Sequence, residues 1–125
     1  MKEGEVALTS IRQSDGEVKI RPVILLRSMP PFGDFLVCGV SSQIRHFVDG
    51  FDEIIFKNDS DFVASGLLDS SLIRLGFLAV LRSADIAGTI GEIAPARHAR
   101  LMKKLSEYLS PIRSGTETPP QSQKR

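Results

Sequence analysis

Apolar and polar positions fall into short alternating blocks along most of the chain, then change to a longer period near the end. Residues 5–11 form a largely apolar block that predicts a first strand, and the polar stretch at residues 12–17 predicts a loop. Residues 20–27 carry a β-branched and leucine run that predicts a buried second strand. Pro22 belongs at its beginning, because proline cannot donate to a ladder. Met29-Pro30-Pro31-Phe32-Gly33 breaks the pattern before a third strand at residues 34–40, with Gly39 a bulge or a tight bend. A polar loop at residues 41–50 and a short fourth strand at residues 51–56 follow. Asn58, Asp59, Ser60 and Asp61 then supply N-cap chemistry for one or two helical turns at residues 62–65, stopped by Gly66. Residues 72–81 predict a fifth strand and residues 88–93 a brief last one.

From Pro95, which suits a first helical position, the period becomes helical. Leu101, Met102, Leu105, Leu109 and Ile112 share one face, and Arg97, Arg100, Lys103, Lys104 and Glu107 fall mostly opposite, as a solvated face. Pro111 marks the end. Short strands with one closing helix and no βαβ alternation predict a mainly β fold: a compact antiparallel barrel with a short middle helix and a C-terminal helix. A single domain is expected over residues 1–112. Residues 113–125, rich in Ser, Thr, Pro and Gln, predict a disordered tail.

Composition narrows the function classes. A chain of 125 residues suits one domain. Its 16 basic residues nearly balance 15 acidic ones, so any anionic ligand must be held by local placement of charge. The single cysteine, Cys38, excludes an internal disulfide and reads as a small buried hydrophobe, with a reactive thiol as the alternative. Neither a signal-peptide core nor a membrane-spanning run is present, so a cytoplasmic protein with no membrane contact is expected. His46, His98 and Cys38 do not form a ligand set, so no metal and no cofactor are expected.

Two segments carry the candidate chemistry. Arg21 stands at the mouth of an apolar strand, before Pro22, and is either a solvated strand-end residue or an anion contact at a barrel rim. The third strand ends abruptly in Ser41, Ser42 and Gln43, which read either as a turn whose hydroxyls cap backbone groups or as donors to a ligand.

Taken in order, these segments resemble a known family. Gly4-Glu5-Val6, then Arg21-Pro22 with an aliphatic strand, then an aliphatic strand ending in Ser41-Ser42-Gln43 is similar to the MazF/PemK toxins of toxin–antitoxin systems. Ser65-Gly66-Leu67-Leu68, Ser71-Leu72-Ile73-Arg74 and Ile90-Gly91-Glu92-Ile93 continue the resemblance, which spans residues 4–110. It implies a small SH3-like barrel of the CcdB, MazF and Kid type and a homodimer. It also implies a metal-independent endoribonuclease that cleaves single-stranded RNA and is blocked by a cognate antitoxin. The family's functional arginine falls on Arg21 and its functional hydroxyl on Ser41, where threonine is common. In such cleavage the RNA's 2′-hydroxyl attacks the adjacent phosphate, which requires charge stabilisation and proton transfers. Ser42 and Gln43 are supporting candidates. The general base is open between Glu17, in the loop before Arg21, and His46, a residue type suited to proton transfer near neutral pH.

The first loop lacks the family's glycine-rich basic stretch, which bears on RNA affinity and sequence preference. Arg74 is expected to pair with Asp69 or to face a dimer seam. The basic terminal helix is expected to be solvated, with RNA backbone or an acidic antitoxin as the alternative. Two non-catalytic readings share the fold: a gyrase poison, against which the polar extension beyond the helix argues, and a degenerate interaction or regulatory module.

Overall fold

The computed structural model describes residues 1–12 and 14–110; the expected tail at residues 113–125 lies outside the described residues. Six strands appear in the predicted order: β1 (Glu5–Arg12), β2 (Val18–Met29), β3 (Asp34–Ser41), β4 (Glu53–Ile55), β5 (Ser71–Leu81) and β6 (Ile86–Glu92). A short helix α1 (Phe62–Ser65) lies between β4 and β5, and α2 (Pro95–Leu109) closes the described chain. The strands form one sheet in the order β4-β5-β3-β2-β1-β6, and every neighbouring pair is antiparallel.

Both faces of the central strands are buried, which explains why β2 and β3 read as continuous apolar runs rather than as alternation. On one face, Val6, Ile24, Leu26, Cys38, Val40, Ile73 and Leu75 pack with Leu101 and Leu105 of α2. On the other, Ala7, Val23, Leu25, Phe35 and Val37 form a smaller cluster with Ala79, Leu81 and Ile86.

Pro22 does not begin β2; it lies four residues inside it, opposite Leu8 of β1. The ladder to β3 begins only at Val23, so residues 18–22 pair with β1 alone. A strand with one free edge tolerates a missing N–H.

The helical turn stops at Gly66, at φ +76°, as predicted, but its cap differs. Asp61 holds the N-cap position without capping; its carboxylate instead accepts from the Ala94 N–H at 2.9 Å and from Arg97. Behind α1 the backbone of β6 comes very close: a Cβ on Gly91 would sit 2.1 Å from the Ala64 carbonyl oxygen. Glycine at that position lets α1, which follows β4, pack against β6 at the other end of the strand order.

The charged face of α2 corrects the sequence reading. Arg97 is buried, not solvated. It donates to Asp61 at 2.8 Å, to Glu53 at 3.0 Å and to Asp59 at 3.0 Å. Arg100 and Lys104 converge on the same Glu53, at 3.0 and 3.2 Å. The acids come from β4 and from the segment before α1, far from the helix in sequence. The apolar face holds at Leu101, Leu105 and Met102, whereas Leu109 is 66% exposed. Ile112 lies outside the described residues.

Burial alone pushes Glu53 and Asp61 upward, but hydrogen bonds outweigh it and hold both carboxyls below their ordinary values. Arg100 and Lys104 act on Glu53, and Arg97 and the Ala94 N–H act on Asp61. Carboxyls depressed by folding contribute stability that is present above their unfolded values and is lost as pH falls through the folded ones. Acid unfolding is therefore expected to set in below pH 4.5, the ordinary value for Glu53. Arg97→Ala strands the buried Asp61 carboxylate, whereas Glu53 keeps Arg100 and Lys104. It is expected to lower the unfolding free energy by about 3–5 kcal/mol in urea titrations and to move the acid transition to higher pH.

Candidate functional site

The site grows from a break in pairing. The β2–β3 ladder ends at Val23 opposite Gly39. Two residues further along each strand, Arg21 pairs only with Thr9 of β1 and Ser41 only with Leu72 of β5. Continued register would set Arg21 and Ser41 side by side; instead the strands part there and open a cleft.

The β3–β5 pairing is interrupted at the same level. Cys38 faces Leu78, but Gly39 faces Arg74, so Leu75, Gly76 and Phe77 are extra residues of β5. Gly39 is thus at a bulge, as expected, although the inserted residues belong to its partner strand. The Asp52 carboxylate accepts from the Leu75 N–H at 3.1 Å, replacing a ladder bond that the bulge removes. The two-residue period puts Arg21, Gly39, Ser41 and Arg74 on the face of the smaller cluster, just beyond Val23 and Val37.

Two cavities meet at this rim. One, of about 220 Å³, is lined by Arg21, Ser41, Ser42, Gln43, Arg74 and Phe77 among others. The second, of about 290 Å³, shares Arg21, Ser41 and Ser42 and continues past Leu67, Leu68, Asp69 and Ile90. Together they make one groove with Arg21 and Ser41 at its middle. The Ser41 Oγ accepts from the Gln43 N–H at 3.0 Å, which fixes the hydroxyl in a tight turn and leaves its proton to donate. The turn and ligand readings of this serine are therefore compatible.

Glu17 and His46 line neither cavity. Glu17 lies in the β1–β2 loop, where its N–H donates to Asp15, and His46 ends a 3-10 turn, Ile44–His46. The expected pairing of Arg74 with Asp69 does not form: Asp69 pairs with Lys57 at 3.5 Å. Among the described residues the exposed Arg74 side chain makes no ion pair, and it lines the cleft instead. Sequence reasoning missed Phe77, Asp69 and the cleft role of Arg74. The available signal was Gly76, since a glycine inside a strand pattern marks a bulge.

Other features carry less chemistry. A hollow of about 640 Å³ is lined by Glu53, Asp59, Arg97, Arg100 and Lys104, whose charges neutralise one another. Among the described residues no group of three or more His, Cys, Asp or Glu side chains is arranged to hold a metal ion. No helix among them is long and apolar enough to cross a membrane. Cys38 is fully buried, and burial pushes its thiol up to about 12.

No family model and no curated protein matches the sequence. Among solved structures the chain is similar to the Mycobacterium tuberculosis toxin MazF-mt6, with a TM-score of 0.61 at 15% identity, over 82% of this chain and 93% of that one. The architecture is a MazF-like fold: mainly β, a six-stranded antiparallel sheet with a C-terminal helix.

A thiol held near 12 is protonated at neutral pH and shielded from reagents. Native protein is expected to resist a thiol-reactive dye that labels Cys38 fully in denaturant.

Proposed function

We propose that this chain is a MazF/PemK-like toxin: a cytoplasmic endoribonuclease that cleaves single-stranded RNA without a metal and is held in check by a cognate antitoxin. The observation that carries the reading is the groove centred on Arg21 and Ser41, on a barrel of the MazF type. The two residues singled out from the sequence are among the five that line both cavities, with Pro22, Val40 and Ser42, and a single strand of RNA can run through the groove with a nucleotide on either side.

The chemistry follows from what each group can do. The 2′-hydroxyl attacks the adjacent phosphorus, the bond to the 5′-oxygen breaks, and the products are a 2′,3′-cyclic phosphate and a 5′-hydroxyl. Charge grows on the non-bridging oxygens in between. The Arg21 guanidinium offers a planar fork to those oxygens, and the Ser41 hydroxyl supplies a donor held by its turn. Ser42 and Gln43 shape the wall beside them. For proton transfer, Glu17 and His46 are the candidates named from the sequence, although they line neither cavity, and Asp69 is the carboxylate that lines the groove.

Self-association belongs to the same proposal. An apolar hollow of about 700 Å³ between β5 and α2 is lined by Phe51, Leu78, Leu105, Tyr108 and Leu109. Leu78 is 37% exposed, Val80 56%, Tyr108 68% and Leu109 66%, an apolar surface that a second copy would cover.

Wild-type protein is expected to cut a long single-stranded RNA in EDTA. Arg21→Ala should abolish cutting, and Ser41→Ala should slow it by about 10²–10³, the usual cost of one donor to developing oxyanion charge. Cutting retained by Arg21→Ala would remove the mechanism. Separately, Leu78→Glu is expected to convert a dimer into a monomer in sedimentation measurements, with unchanged mass counting against the β5–α2 interface.

A further inference from the structure

We propose that Phe77 is a stacking platform for a nucleobase, holding the nucleotide next to the phosphate that Arg21 grips. The inference rests on the RNA-cleaving reading of the groove and adds to it a subsite for one base of the substrate.

Phe77 is an apolar ring left 41% exposed, although it sits in a strand whose neighbours at Ala79 and Leu81 pack into the smaller cluster. Its position is built by several features of the fold. Three extra residues in β5 carry the ring over β3 at the level of Gly39. The Asp52 carboxylate anchors the start of that bulge through the Leu75 N–H. Gly39 is required for space and not for conformation, since it is not among the glycines at positive φ. A Cβ there would come 2.2 Å from Cδ2 of the ring, 3.0 Å from Cε2 and 3.3 Å from Cγ. This is an approach to the ring's edge. The residue keeps 41% of its surface exposed and lines the cleft.

The surroundings point to a nucleotide and not to a purely apolar ligand. The ring lines the same cleft as Arg21, Ser41, Gln43 and Arg74. Arg74 stands opposite Gly39 in the ladder and makes no side-chain ion pair among the described residues. An aromatic face flanked by guanidinium groups suits a base attached to a phosphate backbone, and stacking on it tolerates any base. Sequence preference would then arise elsewhere in the groove.

The chain contains no tryptophan, so Phe77→Trp introduces a single indole at the subsite. Titration with an oligonucleotide made uncleavable by 2′-deoxy substitution is expected to quench that indole to saturation. An abasic residue next to the protected linkage should remove the quench while binding persists. In the cleavage assay, Phe77→Leu should raise KM roughly tenfold to a hundredfold with kcat largely kept, in protein whose unfolding midpoint matches wild type. If wild type cleaves RNA while Phe77→Leu shows a wild-type KM, or the indole is not quenched by a bound oligonucleotide, the stacking role is overturned and the groove reading stands. If wild type neither binds nor cleaves RNA, both fall together.

Discussion

A mismatch between β3 and β5 at Gly39 sets the course of β5 and, with it, the rim where the groove opens. Three more residues in one strand than in its partner cannot be absorbed by a flat ladder, so β5 bends. Its first half then pairs with the end of β3 and with β4, and its second half with the start of β3. The two apolar clusters lie on opposite faces of the sheet. The smaller one stops short of the rim, so the surface beyond Val23 and Val37 is a groove and not core.

Charge placement follows a different logic at the two ends of the molecule. Near neutrality overall, the chain gathers much of its basic helix onto Glu53, Asp59 and Asp61. That end is held together by its charges and offers little net field. Arg21 and Arg74 face a groove in which Asp69 is the lining carboxylate, itself paired with Lys57. The proposed phosphate site is this groove, although a larger hollow exists beside α2. Chemistry rather than volume separates the two.

Local signals were legible and distant ones were not. The strands, the stop at Gly66 and the helix start at Pro95 rest on neighbours in sequence, and each was readable to within a residue or two at most boundaries. The bulge at Gly39 was readable for the same reason. The burial of Arg97 was not, because its partners lie 36 to 44 residues away and a helical wheel shows only the helix's own charges. Asp61 reads as a cap for α1 because that is the nearest unsatisfied backbone, yet a buried guanidinium is the stronger claimant. Pro22 looks like a strand start until the sheet order reveals that one edge of β2 is free at that point. Arg21 and Ser41 stand out as polar ends of apolar strands, but only the resemblance and its order of motifs give them a catalytic role; Phe77 hides in an apolar run that looks like core.

On the proposed reading, the groove at Arg21 and Ser41 directs a 2′-hydroxyl against its neighbouring phosphate. The most direct test of that reading is the chemistry of the ends left on a digested RNA, read by mass spectrometry of the products. 2′,3′-Cyclic phosphates paired with 5′-hydroxyls are the expected ends. Products carrying 5′-phosphates and 3′-hydroxyls would mean that water, not the 2′-hydroxyl, is the nucleophile, and would contradict that reading.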